Sequence, residues 1–278
     1  MILFGIVCFR ENYKDTITYR DLVKSFIHDN ISMREILNVF IFDNTDFADW
    51  KVNVSNNNEE NVNVSYFHDP SNPGISFAYN KIAQFAKENT FDNVVFLDQD
   101  TKLPLDFFYQ YKRFEKKNKD IGVPKIYEKD KLISPSKYKA YRSSFYNEIL
   151  ESQLPIEGNS CINSGILIRT DFFYEVGGYN ERLRLDFCDH EFIGRIKNYV
   201  RYLNIIPVKL KQNFSTNTNS KEKALFRYKL FITDMKVFKN IHNKFLVTLF
   251  VDLPHLIRLS LQYKSFLFVR ERFLKNDK

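Results

Sequence analysis

Two acidic clusters in this chain could do chemistry. The first is Asp98-Gln99-Asp100, which directly follows the apolar run Val94-Val95-Phe96-Leu97. A buried strand ending in two carboxylates one residue apart presents both at its carboxyl end, the edge where ligands bind in α/β sheets. Two hard oxygen donors held there suit a divalent cation that bridges the phosphates of a nucleotide. The second cluster is Asp186-Phe187-Cys188-Asp189-His190-Glu191. Asp186, Asp189 and Glu191 each offer a carboxylate that could take a proton from a hydroxyl. Each is also a natural helix-start residue, favoured by the helix dipole. His190 is as readily a spectator as a participant.

The elements around these clusters follow from periodicity. Ile2 to Cys8 reads as a first strand, followed by a polar loop, Arg10 to Lys14. Thr16 to His28 carries Ile17, Leu22, Val23, Phe26 and Ile27 at helical spacing. Leu37 to Phe42 is a second strand ending at Asp43-Asn44, Asn56 to Asn61 is a polar loop, and Val62 to Tyr66 alternates as a third strand. Asn72-Pro73-Gly74 makes a turn before a helix over Ile75 to Lys87. Val94 to Leu97 is the fourth strand and Asp106 to Lys119 a half-solvated helix. Strands alternating with helices at these intervals imply crossover units and a mainly parallel sheet. Phe9-Arg10, Asp43-Asn44 and Asp98-Gln99-Asp100 then fall at one edge, where a nucleotide would lie. Lys125 to Ser144 reads as a basic, mobile stretch, and the chain returns to a strand around Cys161 to Arg169. Ser215 to Lys223 is a polar linker to a helical carboxyl-terminal segment.

Composition narrows the function classes. The 278 residues carry 28 Phe and 16 Tyr, an unusual aromatic share; much of it is expected in core packing and some on sugar-binding or membrane-facing surfaces. The three cysteines, Cys8, Cys161 and Cys188, are far apart, show no metal-ligand spacing and read as core. No run of about 18 consecutive apolar residues is present, and Met1 to Phe9 lacks a basic leader, so a cytoplasmic location is expected. The net charge of +7 is dispersed and accompanies no nucleic-acid-binding pattern, which argues against nucleic acid as a partner.

Several ordered motifs resemble the family 2 glycosyltransferases of the GT-A fold, in particular their bacterial rhamnosyltransferase branch. They are Phe42-Asp43-Asn44-Thr45, Asn72-Pro73-Gly74 with Ala78-Tyr79-Asn80, Phe96 to Thr101, Ser164 to Arg169, Gly177 to Glu181, and Asp186 to Glu191 with Arg195. The resemblance runs from Ile2 to Val237. It implies a Rossmann-like, mainly parallel α/β sheet flanked by helices, with a catalytic domain over residues 1–213 and a helical extension over 214–278. Residues 1–101 would form the nucleotide-sugar half and 102–213 the acceptor half. It further implies that Asp43 contacts the nucleotide base and that Asp98 and Asp100 bind a divalent metal, Mn2+ or Mg2+. Asp189 takes the place of the catalytic base, supported on the acceptor side by Asp186, His190, Glu191 and Arg195. Phe9, Arg10, Asn72, Gly74, Asn80 and Gln99 complete the donor side. Many relatives carry a metal-binding histidine where this chain reads Lys211-Gln212-Asn213, so Gln212 is the oxygen available there.

The activity implied is transfer of a sugar, rhamnose by the branch resembled, from a dTDP- or UDP-linked donor. The acceptor would be a polysaccharide or lipid-linked oligosaccharide of a bacterial surface. Phe245 to Lys275 mixes apolar clusters with Arg258, Lys264, Arg270, Arg272 and Lys275, which fits packed helices with an edge on the inner face of a membrane. Two other readings stay open. A nucleotidyltransferase also uses paired carboxylates, although Phe9 to Tyr13 lacks the glycine such enzymes want near their first strand. A non-catalytic carbohydrate-binding protein on the same scaffold is the other.

Overall fold

The strand β1 (Ile2–Cys8) is buried along its whole length and leads into α1 (Ile17–Asp29). The strands β2 (Leu37–Asp43) and β3 (Val62–His68) follow, then α2 (Ile75–Glu88) and β4 (Asn93–Asp98). This computed structural model describes residues 1–29, 35–52, 60–212 and 220–273. Residues 56–59 of the expected polar loop, residues 213 and 215–219 at the expected linker, and residues 274–278 lie outside that set.

These first strands pair in parallel in the order β3-β2-β1-β4, as the alternation of strand and helix predicts. In register, Cys8 lies beside Asp43 and Val7 beside Asp98, so the three strands end at one level. Period-two alternation decides which side chain serves which face. On β4, Val94 and Phe96 join the core formed with α2, whereas Val95 and Leu97 join the core formed with α1. All four are fully buried, each contributing about 1.5–3 kcal/mol of transfer free energy.

The second half is more mixed. After α3 (Phe107–Glu115) come β5 (Ile121–Glu128), β6 (Lys131–Ser134), β7 (Ser136–Lys139), β8 (Arg142–Phe145), β9 (Gln153–Pro155) and β10 (Asn159–Ser160). A short strand, β11 (Leu167–Arg169), enters antiparallel between β4 and β5, and α4 (Thr170–Glu175) and α5 (Cys188–Ile196) precede β12 (Tyr202–Lys211), parallel to β5. The stretch Lys125 to Ser144, expected to be mobile, is instead ordered. Leu132, Ile133, Ser134 and Ser136 are buried, and β7 pairs with both β8 and β10 in a three-stranded sheet. Lys131, Lys137, Lys139 and Arg142 are exposed, while Leu132 and Ile133 of β6 are buried.

The carboxyl-terminal region is the long helix α6 (Lys221–Ile241), then α7 (Lys244–Val247), which continues through a π turn at Thr248–Asp252 into α8 (Leu253–Gln262), and α9 (Leu267–Phe273). By length and composition, the continuous helix Lys244–Gln262 could cross a membrane, with mean hydropathy 1.3, although Asp252 and His255 interrupt its apolar run. Asp252 is buried and bound by Lys239 of α6 at 2.5 Å and Arg272 of α9 at 2.6 Å, which ties these helices together. Beside it, His255 packs on the Phe231 ring with centroids 4.2 Å apart. Burial, aided by the Arg258 charge, lowers the His255 pKa to about 4.

An unfolded histidine titrates near 6.5, so between pH 6.5 and 4 the unfolded chain binds a proton that the folded chain refuses. The stability contribution is complete above that window and is lost as pH falls through it. Thermal unfolding at pH 5 is expected to show about 2 kcal/mol less stability than at pH 7.5 from this group. The His255→Gln variant should flatten that difference, and an unchanged slope in the variant would place its cause elsewhere.

Candidate active site

The carboxylate of Asp98 leaves the end of β4 and is gripped from two sides. Its Oδ1 accepts the Tyr79 hydroxyl of α2 at 2.6 Å, and its Oδ2 accepts the Gln212 amide beyond β12 at 2.9 Å. Its backbone is fixed as well, because the Thr18 hydroxyl donates to its carbonyl and its N–H donates to Ser164 Oγ. Burial raises the Asp98 pKa, partly offset by the hydrogen bonds from Tyr79 and Gln212. Asp189 lies near enough for its charge to add to that rise. Asp100 is pushed up to about 6, first by burial and then by the charge of Asp98.

Gln212 is the notable member of this group. Its Nε2 donates to Asp98 and, at 3.3 Å, to Asp100, bridging both carboxylates in the position a cation would take. Its Oε1 is buried and has no hydrogen-bond partner. Two carboxylates of raised pKa converge here, and turning the Gln212 amide over would bring its unpartnered oxygen to face them, an oxygen-donor set that fits a hard divalent cation completed by phosphate oxygens. Among the described residues no group of three or more His, Cys, Asp and Glu side chains is placed to hold a metal by itself.

At the β1 end of this edge, Gln99 does not reach outward. Its Oε1 accepts the Phe9 N–H at 2.6 Å and its Nε2 donates to the Phe9 carbonyl and to Glu11, so it pins the loop after β1 to the end of β4. Arg10, held at a φ of +55°, gives its guanidinium to Asp46 at 2.6 and 2.8 Å and lies between the Phe9 and Phe47 rings. Asp43 is fully buried and accepts from the Thr45 N–H, the Trp50 indole and the Tyr66 hydroxyl, each within 2.9 Å. It thereby shapes the loop that carries Asp46 and Phe47. Asn72 gives its carbonyl to Arg184, and Gly74 at the start of α2 has a φ of +105°. A Cβ on Gly74 would stand 2.5 Å from the Arg184 carbonyl, so this turn meets the segment before α5 at a distance only glycine permits.

That segment places the second acidic cluster. Asp189 sits in the first turn of α5, with its Oδ1 held by the His190 N–H at 2.7 Å. The helix is entered through Phe187 at a φ of +67°, a strained value for a bulky residue. Stacking pays for it: the Phe187 ring lies 4.5 Å from Phe238 and 5.5 Å from Phe231, both on α6. Just upstream, the buried Asp234 carboxylate of α6 accepts the N–H groups of Arg184, Leu185 and Asp186 at 2.7–3.0 Å. Arg227 of the same helix takes Asp186 in a two-point ion pair, so the Asp186 carboxylate is already committed.

The remaining predicted residues form the frame. Asn80 accepts from the Tyr179 N–H and donates to the Tyr179 carbonyl and to Glu181, which fastens the Gly177–Glu181 turn onto α2. Glu191 binds Arg195, whose other N–H groups donate to the carbonyls of Val176 and Gly178. His190 stacks on Tyr138 and exchanges a hydrogen bond with Ser160, joining α5 to the small sheet. The three cysteines are buried, as expected. Tyr79, Ser164, Arg227 and Asp234 were not expected from the sequence. Tyr79 and Ser164 lie inside motifs named above, and Asp234 had a signal of its own as an acid close to Phe231, Ile232 and Met235.

Removing the Asp234 carboxylate takes the shared acceptor from three partly buried N–H groups, and hydrogen bonds to a charged partner are worth about 1.5–3 kcal/mol each. Asp234→Ala is therefore expected to cost about 3 kcal/mol or more in denaturant unfolding. Amide exchange at Arg184, Leu185 and Asp186 should accelerate with it, and protection equal to the parent chain would refute this anchoring.

No protein-family model matches the chain. A stretch of 141 residues is 28% identical to the dTDP-rhamnosyl transferase RfbF of Shigella flexneri, covering 49% of this chain and 47% of that protein. The match thus spans about half the length of that curated relative. Among solved structures, GalNAc-T7 with UDP, GalNAc and Mn2+ superposes with a TM-score of 0.55 at 14% identity, over 89% of this chain and 56% of that one. TarS of S. aureus gives a TM-score of 0.53 at 14% identity, over 97% and 49%. TarS 1-349 in complex with UDP-GlcNAc gives a TM-score of 0.53 at 14% identity, over 84% and 66%. With its mixed, mainly parallel sheet, the chain has the GT-A glycosyltransferase fold and is rhamnosyltransferase-like in sequence.

Proposed function

We propose that the chain is an inverting glycosyltransferase of the family 2 type. It moves a sugar, rhamnose by its likeness to RfbF, from a dTDP- or UDP-linked donor to a polysaccharide or lipid-linked oligosaccharide in surface glycan synthesis. The observation that carries this reading is the approach of Asp189, on the first turn of α5, to the buried Asp98 at the end of β4. Asp98 ends a sheet strand and Asp189 opens a helix, and the charge of Asp189 is felt at Asp98.

The chemistry divides between them. With Oδ1 held by the His190 N–H, Asp189 keeps Oδ2 for the acceptor hydroxyl and takes its proton as the oxygen attacks the anomeric carbon. The bond from that carbon to the diphosphate oxygen breaks, and its electron pair leaves with the nucleoside diphosphate. One base on the face opposite the leaving group gives direct displacement and inversion. Asp98, Asp100 and Gln212 would hold a divalent cation, which neutralises charge developing on the leaving diphosphate. Phe9, Arg10 and Asp43 form the nucleotide side of the edge, with Asn72, Gly74, Asn80 and Gln99 fixing its walls. Asp186, His190, Glu191 and Arg195 hold the Asp189 helix. Residues 1–213 supply these groups, and the extension from residue 214 contributes α6 as a support. The Mn2+ in the GalNAc-T7 structure and the UDP-GlcNAc bound to TarS are in keeping with this chemistry.

Asp189→Asn should retain calorimetric binding of the nucleotide sugar and lose about 10²-fold or more in transfer, the share a general base commonly supplies. Normal turnover by that variant would remove Asp189 from the mechanism. Asp98→Ala should weaken Mn2+-dependent binding of a nucleoside diphosphate about tenfold, and unchanged binding would count against the cation site. A thermal-shift panel of dTDP- and UDP-sugars, with and without Mn2+, identifies the donor.

A further inference from the structure

We propose that the exposed side of the helix Lys244–Gln262 is a docking face that lies in the plane of an anionic lipid surface. Phe245, Leu249, Leu253, Ile257 and Leu261 recur every four residues along this helix, and all five are exposed, Leu261 to 72%. A four-residue step in an α-helix over-rotates by about 40°, which would wind such a row around the helix. The π turn at Thr248–Asp252, closed by the Leu253 N–H donating to the Thr248 carbonyl, is wider and rotates the other way. The row therefore stays nearer to one side for about 24 Å. Phe266, at 88% the most exposed large apolar side chain among the described residues, stands just past its end.

Charge identifies the occupant. Between Lys244 and Phe273 the exposed charged side chains are Lys244, Arg258, Lys264 and Arg270, all basic. Both carboxylates of the segment are turned inward: Asp252 is buried against Lys239 and Arg272, and Glu271 pairs with Lys229. Apolar side chains bracketed by Lys244 and Lys264, with no exposed acid among them, match an anionic headgroup layer over acyl chains. The opposite side of the helix rules out spanning. Val247, Asp252, Leu256 and Leu259 are buried against the rest of the protein, and immersing them would strip Asp252 from its two cations or carry all three charges into hydrocarbon. The inference stands on this surface alone and does not require the glycosyltransferase reading.

Vesicle flotation of the full chain tests it. The protein should float with phosphatidylcholine vesicles containing phosphatidylglycerol and bind pure phosphatidylcholine about tenfold or more weakly, since each surface lysine or arginine is worth about 1 kcal/mol there. Ile257→Asp with Leu261→Asp should abolish flotation while leaving the thermal midpoint and calorimetric nucleotide binding unchanged, because both side chains lie in solvent. Lys244→Glu with Lys264→Glu should erase the preference for anionic vesicles. Absence of flotation by the parent chain, or flotation indifferent to the Ile257/Leu261 pair, overturns the proposal. So does a parent dimer in light scattering that the same pair disperses without any vesicle binding, which would give the face to a second copy. Nucleotide binding is read separately, so failure here leaves the proposed activity untouched.

Discussion

Carboxylates at the end of a buried strand are costly, and the site is organised around meeting that cost. Asp98 emerges from four fully buried residues, and burial works against its charged form. The Tyr79 hydroxyl and the Gln212 amide each satisfy one of its oxygens, and Thr18 and Ser164 hold its backbone. These partners come from α1, α2, the segment before β11 and the segment after β12. Strand pairing, helix packing and the return of the last core strand must all be right before the carboxylate can sit there.

The second constraint is the loop that carries Asp189. Left alone, a segment with Phe187 in the left-handed region would relax. It is held because α6 supplies a carboxylate for three successive N–H groups, a guanidinium for Asp186 and two aromatic rings for Phe187. The same helix is joined through Lys239 to Asp252, next to the face that carries the exposed apolar row.

Much of the first half was legible in the sequence. The strands β1, β2 and β4 begin and end within a residue of their expected limits, because each is a mostly apolar run with polar residues close after it. β3 extends two residues past Tyr66, where His68 finds its partner across β2 rather than along the chain. The region around β11 was legible only as a strand. Its antiparallel entry between β4 and β5 rests on a three-residue element and on partners some 45 to 75 residues away in sequence. The stretch over β6 to β8 misled because local basic composition does not reveal strand pairing, which orders β7 and β8 although β8 is exposed along its length.

The sequence by itself determined the chemistry available: two carboxylates at a strand end, a third acid at a helix start, and an amide side chain, Gln212, further along the chain. Side-chain type and short spacing are local properties, and they survive in a linear reading. Tertiary structure decided which of these groups meet. It showed Asp186 spent on Arg227, Glu191 spent on Arg195, and Gln212 bridging Asp98 and Asp100 with an unpaired oxygen. Hydrogen-bond partners separated by up to 114 residues are set by how helices close over a sheet, and no local pattern encodes that.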